Sequence, residues 1–565
     1  MITAVLRLEF EHVFPEEEIK NVLDYLKLIS SNTLLNIIGF SNTHPQPNFD
    51  NINSNGAIKH DIINRVNFYC RQNNIQTKPC VVTREASLKL AEKILENRVE
   101  LIDNSTLTID IDSDELNLLK AFLVINKEVN IKDNYAISED DNIERIAEMI
   151  ITLSFSTSDL GLFEDNITEF AKLVYSTLTR FELLISFLQS ENEYKYLEES
   201  LYTHFKLENS EELIKEIKML LFQLIRIKNS KNGYKFKVEE EKSKLFLDTL
   251  VSDKIAGDDD FTNLKNYPLY KIDNDTYSII DYFFVVDKFY KSVRFILKDS
   301  FHKKHNLPQN DRTFFNFFNT KFSEEYLMKN ILDGIYSKKF LVKKANQVDI
   351  KNEPDYYVRY NNRVYLFENK DVLIAKAIRS SGNIETILNT LKQKFLESNQ
   401  TPIGIGQLIT SINQIVENDF KFDNYVNTKN NLTIYPILLV SDRIFEIPGI
   451  NYIMNKWYTQ KIKEKLKEKY NPTFIKNITI IDLDTLIYWL YHLEKKESNL
   501  KDIIDKHHQK MTANKKPIGK TQIEILNSIQ KNTLEKLSPI SFRFPEYKFP
   551  PEIFVEKFKD IVTEE

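Results

Sequence analysis

One stretch constrains this chain more than any other: EPDYYVRYNNRVYLFENKD, residues 353–371. Residues 356–360 and 363–371 are rich in aromatic and β-branched side chains, and Asn361-Asn362 between them is a short turn pair that tolerates positive φ, so the segment predicts a β-hairpin. Asp355 opens the first strand, and Glu368 and Lys370 stand near the end of the second. Strand side chains alternate, which puts Glu368 and Lys370 on one face and Asn369 on the other. Two carboxylates and an ammonium are thus gathered at one end of an apolar hairpin. Burying them is costly unless they pair or hold a cation, and oxygen-only ligation by few protein groups suits Mg²⁺ or Mn²⁺ better than zinc.

The order of elements around the hairpin extends the reading. Ser323 is expected to cap a helix over EEYLMKNILDGIY, with Met328, Ile331, Leu332 and Ile335 as its buried stripe and Glu324 and Glu325 continuing that stripe toward the N-terminal end. FLVKKA supplies a strand ahead of the hairpin. ETILNTLKQKFLE and GIGQLITSINQIV follow as amphipathic helices, TIYPILLVSD as a strand buried on both faces, and NITIIDLDTLIYWL as a peripheral strand and helix.

Pro354-Asp355, twelve intervening residues and then Glu368-Asn369-Lys370 resemble the signature of the PD-(D/E)XK phosphodiesterase superfamily, the restriction-endonuclease-like nucleases. Helix, three strands, helix, strand is the element order of that family's core, and the resemblance spans roughly residues 320–490. It implies an α/β core, a mixed central sheet flanked by helices, with Asp355 and Glu368 as metal ligands and Lys370 orienting or polarising the attacking water. Glu324 or Glu325 resembles the acidic residue often carried by the first helix as a further metal ligand. Gln407 resembles the glutamine of RecB-like members, which contacts substrate or the metal-bound water. Asn369 departs from the pattern, standing where an apolar residue is usual, as does Ser411, where the RecB-like pattern has tyrosine. The activity implied is Mg²⁺- or Mn²⁺-dependent hydrolysis of phosphodiester bonds, DNA rather than RNA, in defence against phage or foreign DNA. The competing class is a catalytically inactive nuclease-like module that binds nucleic acid or protein.

Length and composition bound the rest. At 565 residues the chain is expected to be multidomain, and with 42% hydrophobic and 12% aromatic residues it is globular rather than disordered. Cys70 and Cys80 form neither a disulfide framework nor a zinc pattern, which points to a reducing compartment. The opening MITAVLRLEFEHVFPEEE has no basic segment ahead of an apolar run and does not read as a secretory leader. No apolar run reaches the roughly 18 residues needed to span a bilayer. A cytoplasmic protein that makes no membrane contact is therefore expected.

The net charge of −6 conceals an asymmetry. Residues 301–565 hold 41 Lys+Arg against 32 Asp+Glu, a balance of +9, and subtraction from the totals of 76 and 82 leaves 35 against 50, or −15, for residues 1–300. A basic C-terminal half suits a polyanion, and an acidic N-terminal half offers a face for a protein partner or a second copy of the chain.

Four regions are expected: 1–255, mainly helical and of unassigned function; 256–312, a hairpin, an aromatic helix and a linker; 313–495, the nuclease-like domain; and 496–565, a Lys-rich extension. In the first, Pro15 with Glu16, Glu17 and Glu18 is expected to open a helix, and Ser113 to cap another. Asp110, Asp112 and Asp114 lack the glycine and terminal glutamate of a calcium loop. The aromatic helix DYFFVVDKFYKSVRFIL is apolar nearly all round and is expected to be buried between domains. Gly519-Lys520-Thr521 lacks the first glycine of a phosphate-binding loop. His507 and His508 point about 100° apart on a helix and are expected to face solvent, and Lys461, Lys463, Lys465, Lys467 and Lys469 to form an exposed helix face.

Overall fold

The computed structural model describes residues 6–42, 54–75, 79–132, 142–155, 167–228, 233–258, 260–336, 341–344, 354–495, 499–544 and 550–562. Residue 259 of the acidic break, parts of the FLVKKA segment and residues 545–549 of the Pro-rich tail lie outside that set. The chain divides into two compact units, Met1–Asn134 with Leu160–His305 and Phe554–Glu565, and Tyr135–Asp159 with Asn306–Ile553.

The first unit is mainly helical. Its longest helices are Ile111–Lys132, Ile167–Ser190 and Ser210–Lys228, beside a small antiparallel sheet in the order Lys235–Lys237, Thr276–Ile279, Leu269–Lys271. The last two of these strands form the hairpin expected within 256–312. The aromatic helix that follows belongs to this unit's interior: Tyr282, Phe284, Val285, Val286 and Phe289 are almost fully buried. Asp281 caps it through the Phe283 and Phe284 N–H groups and takes the guanidinium of buried Arg84 (Nε to Oδ2, 2.8 Å). Two expected helix starts shift. Glu16, Glu17 and Glu18 lie in the turn ahead of a short helix, Val22–Leu26, which Asn21 caps. Ser113 lies inside the first turn of Ile111–Lys132, and Asp114 behind it is buried, accepting from the Ser30 and Thr33 hydroxyls.

The second unit is built on a mixed five-stranded sheet. Its strands are β1 (Leu341–Lys344), β2 (Tyr356–Tyr360), β3 (Arg363–Lys370), β4 (Thr433–Val440) and β5 (Thr479–Asp482), in spatial order β5-β4-β3-β2-β1. β1, β2 and β3 form an antiparallel meander, and β4 and β5 join parallel to β3. Asn361 turns the β2–β3 hairpin at φ +52°, the conformation its short polar side chain tolerates.

β4 carries a proline although it is an interior strand of the sheet, paired on both sides. Ile434 donates to Phe474 O at 2.8 Å, so Pro436, two residues on, turns its ring nitrogen to the same edge. There it falls in the gap before β5 pairing begins at Ile437 and Thr479, where a donor is not required.

Val364, Leu366, Leu438 and Val440 cover one face of the sheet with the helices Ile384–Phe395, Ile405–Val416 and Ile450–Leu466. The helix Ile143–Ser154, drawn from far earlier in the chain, joins that core. Gly449 (φ +105°) lets it approach, since a Cβ there would lie 3.0 Å from Ala147 Cβ. On the opposite face Tyr336 packs on Tyr365 and Phe367, with ring centroids 6.1 and 6.2 Å away.

Two expectations about exposure divide. Lys463 and Lys465 are exposed on the helix Ile450–Leu466, but Lys461 on the same helix is half-buried, and Lys467 and Lys469, also exposed, lie beyond its end. His507 and His508 are not solvent-facing but 1% and 8% exposed, because the helix Leu500–Thr512 packs along the edge of the sheet and His508 Nε2 lies 2.9 Å from Thr479 Oγ1 on β5.

Candidate active site

Register brings the three signature residues together. Tyr356 pairs with Phe367, so Asp355, one residue beyond, stands beside Glu368 at the end where β3, β4 and β5 all finish. Asp355 Oδ2 accepts the Asn369 backbone N–H at 2.7 Å. Lys370 Nζ lies 3.2 Å from Glu368 Oε2 and 3.7 Å from Asp355 Oδ2. The Glu368 side chain is wholly buried, and those of Lys370 and Asp355 are 14% and 15% exposed.

Charge here is unbalanced. Burial, and next the Asp355 carboxylate beside it, hold the Glu368 carboxyl well above the usual carboxylate range. Burial works against the Lys370 ammonium, but Asp355, Glu368 and Glu324 outweigh it and hold its pKa above the ordinary lysine value. Glu324 is pushed up to about 8, by burial first and then by Asp355. Three carboxyl groups share one ammonium, so protons are retained where positive charge is lacking.

Glu324 comes from a helical run, Thr313–Phe317, Phe318–Met328 and Lys329–Tyr336, whose middle segment is π-helical. Ser323 therefore does not cap a helix start. It sits inside the π segment, fully buried, and its hydroxyl donates to Asp371 Oδ2 at 2.6 Å. The two neighbouring glutamates separate clearly: Glu325 pairs with Lys321 at 3.1 Å, one turn back, whereas Glu324 lies within electrostatic reach of Asp355 and Lys370. Asp371 carries no signal in the sequence beyond its adjacency to Lys370.

Gln407 opens the helix Ile405–Val416 as a capping residue: its Oε1 accepts the Gly404 backbone N–H at 2.7 Å. Gly404 closes on the site, since a Cβ there would lie 3.4 Å from Lys370 Cγ. Ser411, one turn further along, is fully buried and its Oγ has no hydrogen-bond partner among the described residues. Asn369 is also buried, and both its amide atoms are unpartnered among the described residues.

Among the described residues no three Asp, Glu, His or Cys side chains converge as a ready-made metal cluster. The donor chemistry nonetheless fits a hard divalent cation. Asp355 and Glu368 are oxygen ligands on adjacent strands, and Glu368 Oε1 is buried without a hydrogen-bond partner, a group that a cation would satisfy. In comparisons with known proteins, the chain matches no family model, no curated protein and no solved structure.

Proposed function

We propose that the second unit is a metal-dependent nuclease with a restriction-endonuclease-like core, hydrolysing phosphodiester bonds in DNA in preference to RNA. The observation that carries this reading is the meeting of Asp355, Glu368 and Lys370 at one strand end, with Lys370 Nζ within 3.7 Å of both carboxylates. Asp355 and Glu368, with Glu324 within electrostatic reach of Asp355, would hold Mg²⁺ or Mn²⁺, which when bound neutralises phosphoryl charge and acidifies water.

The chain's own residues supply the rest. Lys370, kept charged by its carboxylate neighbours, faces negative charge as it develops on the phosphate oxygens and orients the attacking water. Asp355, tethered to the Asn369 N–H, is fixed in direction, and the Gly404 turn keeps the next helix close against the Lys370 stem. The excess of Lys and Arg in residues 301–565 suits a polyanionic substrate. Action on phage or foreign DNA is the biological setting this reading suggests.

One observation favours a second reading. Lys370 already pairs with both carboxylates, an arrangement that a nuclease-like scaffold without catalysis could keep as an internal ion pair. A cleavage assay separates the two: purified full-length chain on single- and double-stranded DNA and RNA with Mg²⁺, Mn²⁺ or EDTA, beside Asp355→Ala and Lys370→Ala. Metal-dependent cutting lost in both variants supports the nuclease. Cutting that survives both substitutions overturns it.

A further inference from the structure

Glu324 is placed at the site without an anchor of its own: among the described residues its side chain is in no hydrogen bond or ion pair, although Glu325 beside it has one with Lys321. Its position is therefore set by the helix that carries it. That helix leaves α geometry over Phe318–Met328, the stretch in which the glutamate sits. A π-helical turn is costly to hold and persists where something fixes it, which is why such turns gather at functional sites.

Two features fix this one. Along one side runs an aromatic ladder, Phe314, Phe318, Phe322 and Tyr326, with successive ring centroids 5.7, 5.0 and 6.5 Å apart. The ladder holds the helix to the interior but is non-directional, so it does not select a rotation about the helix axis. The other feature does. Ser323 Oγ donates to Asp371 Oδ2 at 2.6 Å, both groups being buried, and Asp371 is covalently next to Lys370.

On the nuclease reading given above, we infer that Ser323 and Asp371 form a latch that holds Glu324 within reach of Asp355 and Lys370, as positioning residues that touch neither substrate nor metal. The latch joins the residue preceding Glu324 to the residue following Lys370. Rotation of the helix would break a hydrogen bond in a dry setting, where an unmade bond costs its full desolvation. The glutamate's reach to the site thus depends on a serine outside the Asp355, Glu368 and Lys370 signature.

The test is Mn²⁺ binding to the full-length chain, followed by electron paramagnetic resonance of free Mn²⁺, with near-ultraviolet circular dichroism to verify folding. Ser323→Ala is expected to weaken binding about 10-fold, as loss of a supporting shell does. Asp371→Asn keeps an oxygen that accepts the serine hydroxyl and is expected to bind within about 2-fold of the unaltered chain, whereas Asp371→Ala should match Ser323→Ala. Glu324→Gln should weaken binding by a similar factor, and adding Ser323→Ala to it should cost nothing more, because both act through one carboxylate. Unchanged binding in Ser323→Ala, or full additivity with Glu324→Gln, overturns the latch while leaving the nuclease reading intact. Absence of Mn²⁺ binding by the unaltered chain overturns the metal site itself, and the latch with it.

Discussion

Asp355 and Asn369 are joined across the β2–β3 pair: the Asp355 carboxylate accepts the Asn369 backbone N–H at 2.7 Å, between the two residues, Glu368 and Lys370, with which it shares the site. One oxygen is thus committed to the fold. Asp355→Asn keeps an acceptor for that N–H while removing the charge. It is expected to fold normally and to lower cleavage by about 100-fold or more, the scale of losing one preorganised electrostatic contact. Parallel thermal denaturation and DNA cleavage would separate the two effects.

Removing Lys370 should act on stability as well as on turnover. Without its ammonium, Asp355 and Glu368 face each other with no cation between them. Lys370→Met is expected to destabilise the metal-free chain by about 3 kcal/mol, the cost of breaking a buried pair. Denaturant titration with and without Mn²⁺ checks this, and full stability in metal-free Lys370→Met would show that the pair is idle.

Asp423 ties the segment after the helix Ile405–Val416 back to β2. Its Oδ2 accepts from Tyr357 OH at 2.8 Å and from Arg359 Nε at 2.6 Å, and only 4% of the residue is exposed. Asp423→Ala would leave a half-buried guanidinium and a buried phenol without their acceptor. A loss of about 1–3 kcal/mol is expected, because water reaches the Arg359 side of the pair, against about 1 kcal/mol for Tyr357→Phe, which removes a single neutral donor.

Gly404 stands at φ 52°, ψ −100°, where side chains bearing a Cβ are strained, and that Cβ would lie 3.0 Å from Phe395 O. Gly404→Ala is expected to cost about 1–3 kcal/mol. The same Cβ would meet Lys370 Cγ at 3.4 Å, an ordinary van der Waals contact, so cleavage measured well below the melting temperature should change little.

His508 gives the chain a pH signature. Burial lowers its pKa to about 4 from the ordinary 6.5. The unfolded chain takes up this proton as pH falls below about 6.5, and the folded chain does not until about 4, so stability is full above 6.5 and declines as pH falls through that window. The contribution is at most about 3 kcal/mol. His508→Gln, which retains a partner for Thr479 Oγ1, should flatten the slope of stability against pH between 4 and 6.5.

The sequence alone determined the local elements of the site. Alternation fixed the hairpin and its Asn361 turn, the apolar run 433–440 fixed a strand buried inside the sheet, and the spacing of Asp355, Glu368 and Lys370 fixed their shared end, because strand geometry is set by near neighbours in the chain. Tertiary structure decided what depends on distant segments. It separated Glu324 from Glu325, since both lie on one helix and only the packing of that helix says which carboxyl meets Asp355. It turned Ser323 from a helix start into a buried donor to Asp371, 48 residues away. It also buried His507 and His508, because exposure follows from what a helix packs against, and a pattern of polar residues along one helix does not encode its neighbour.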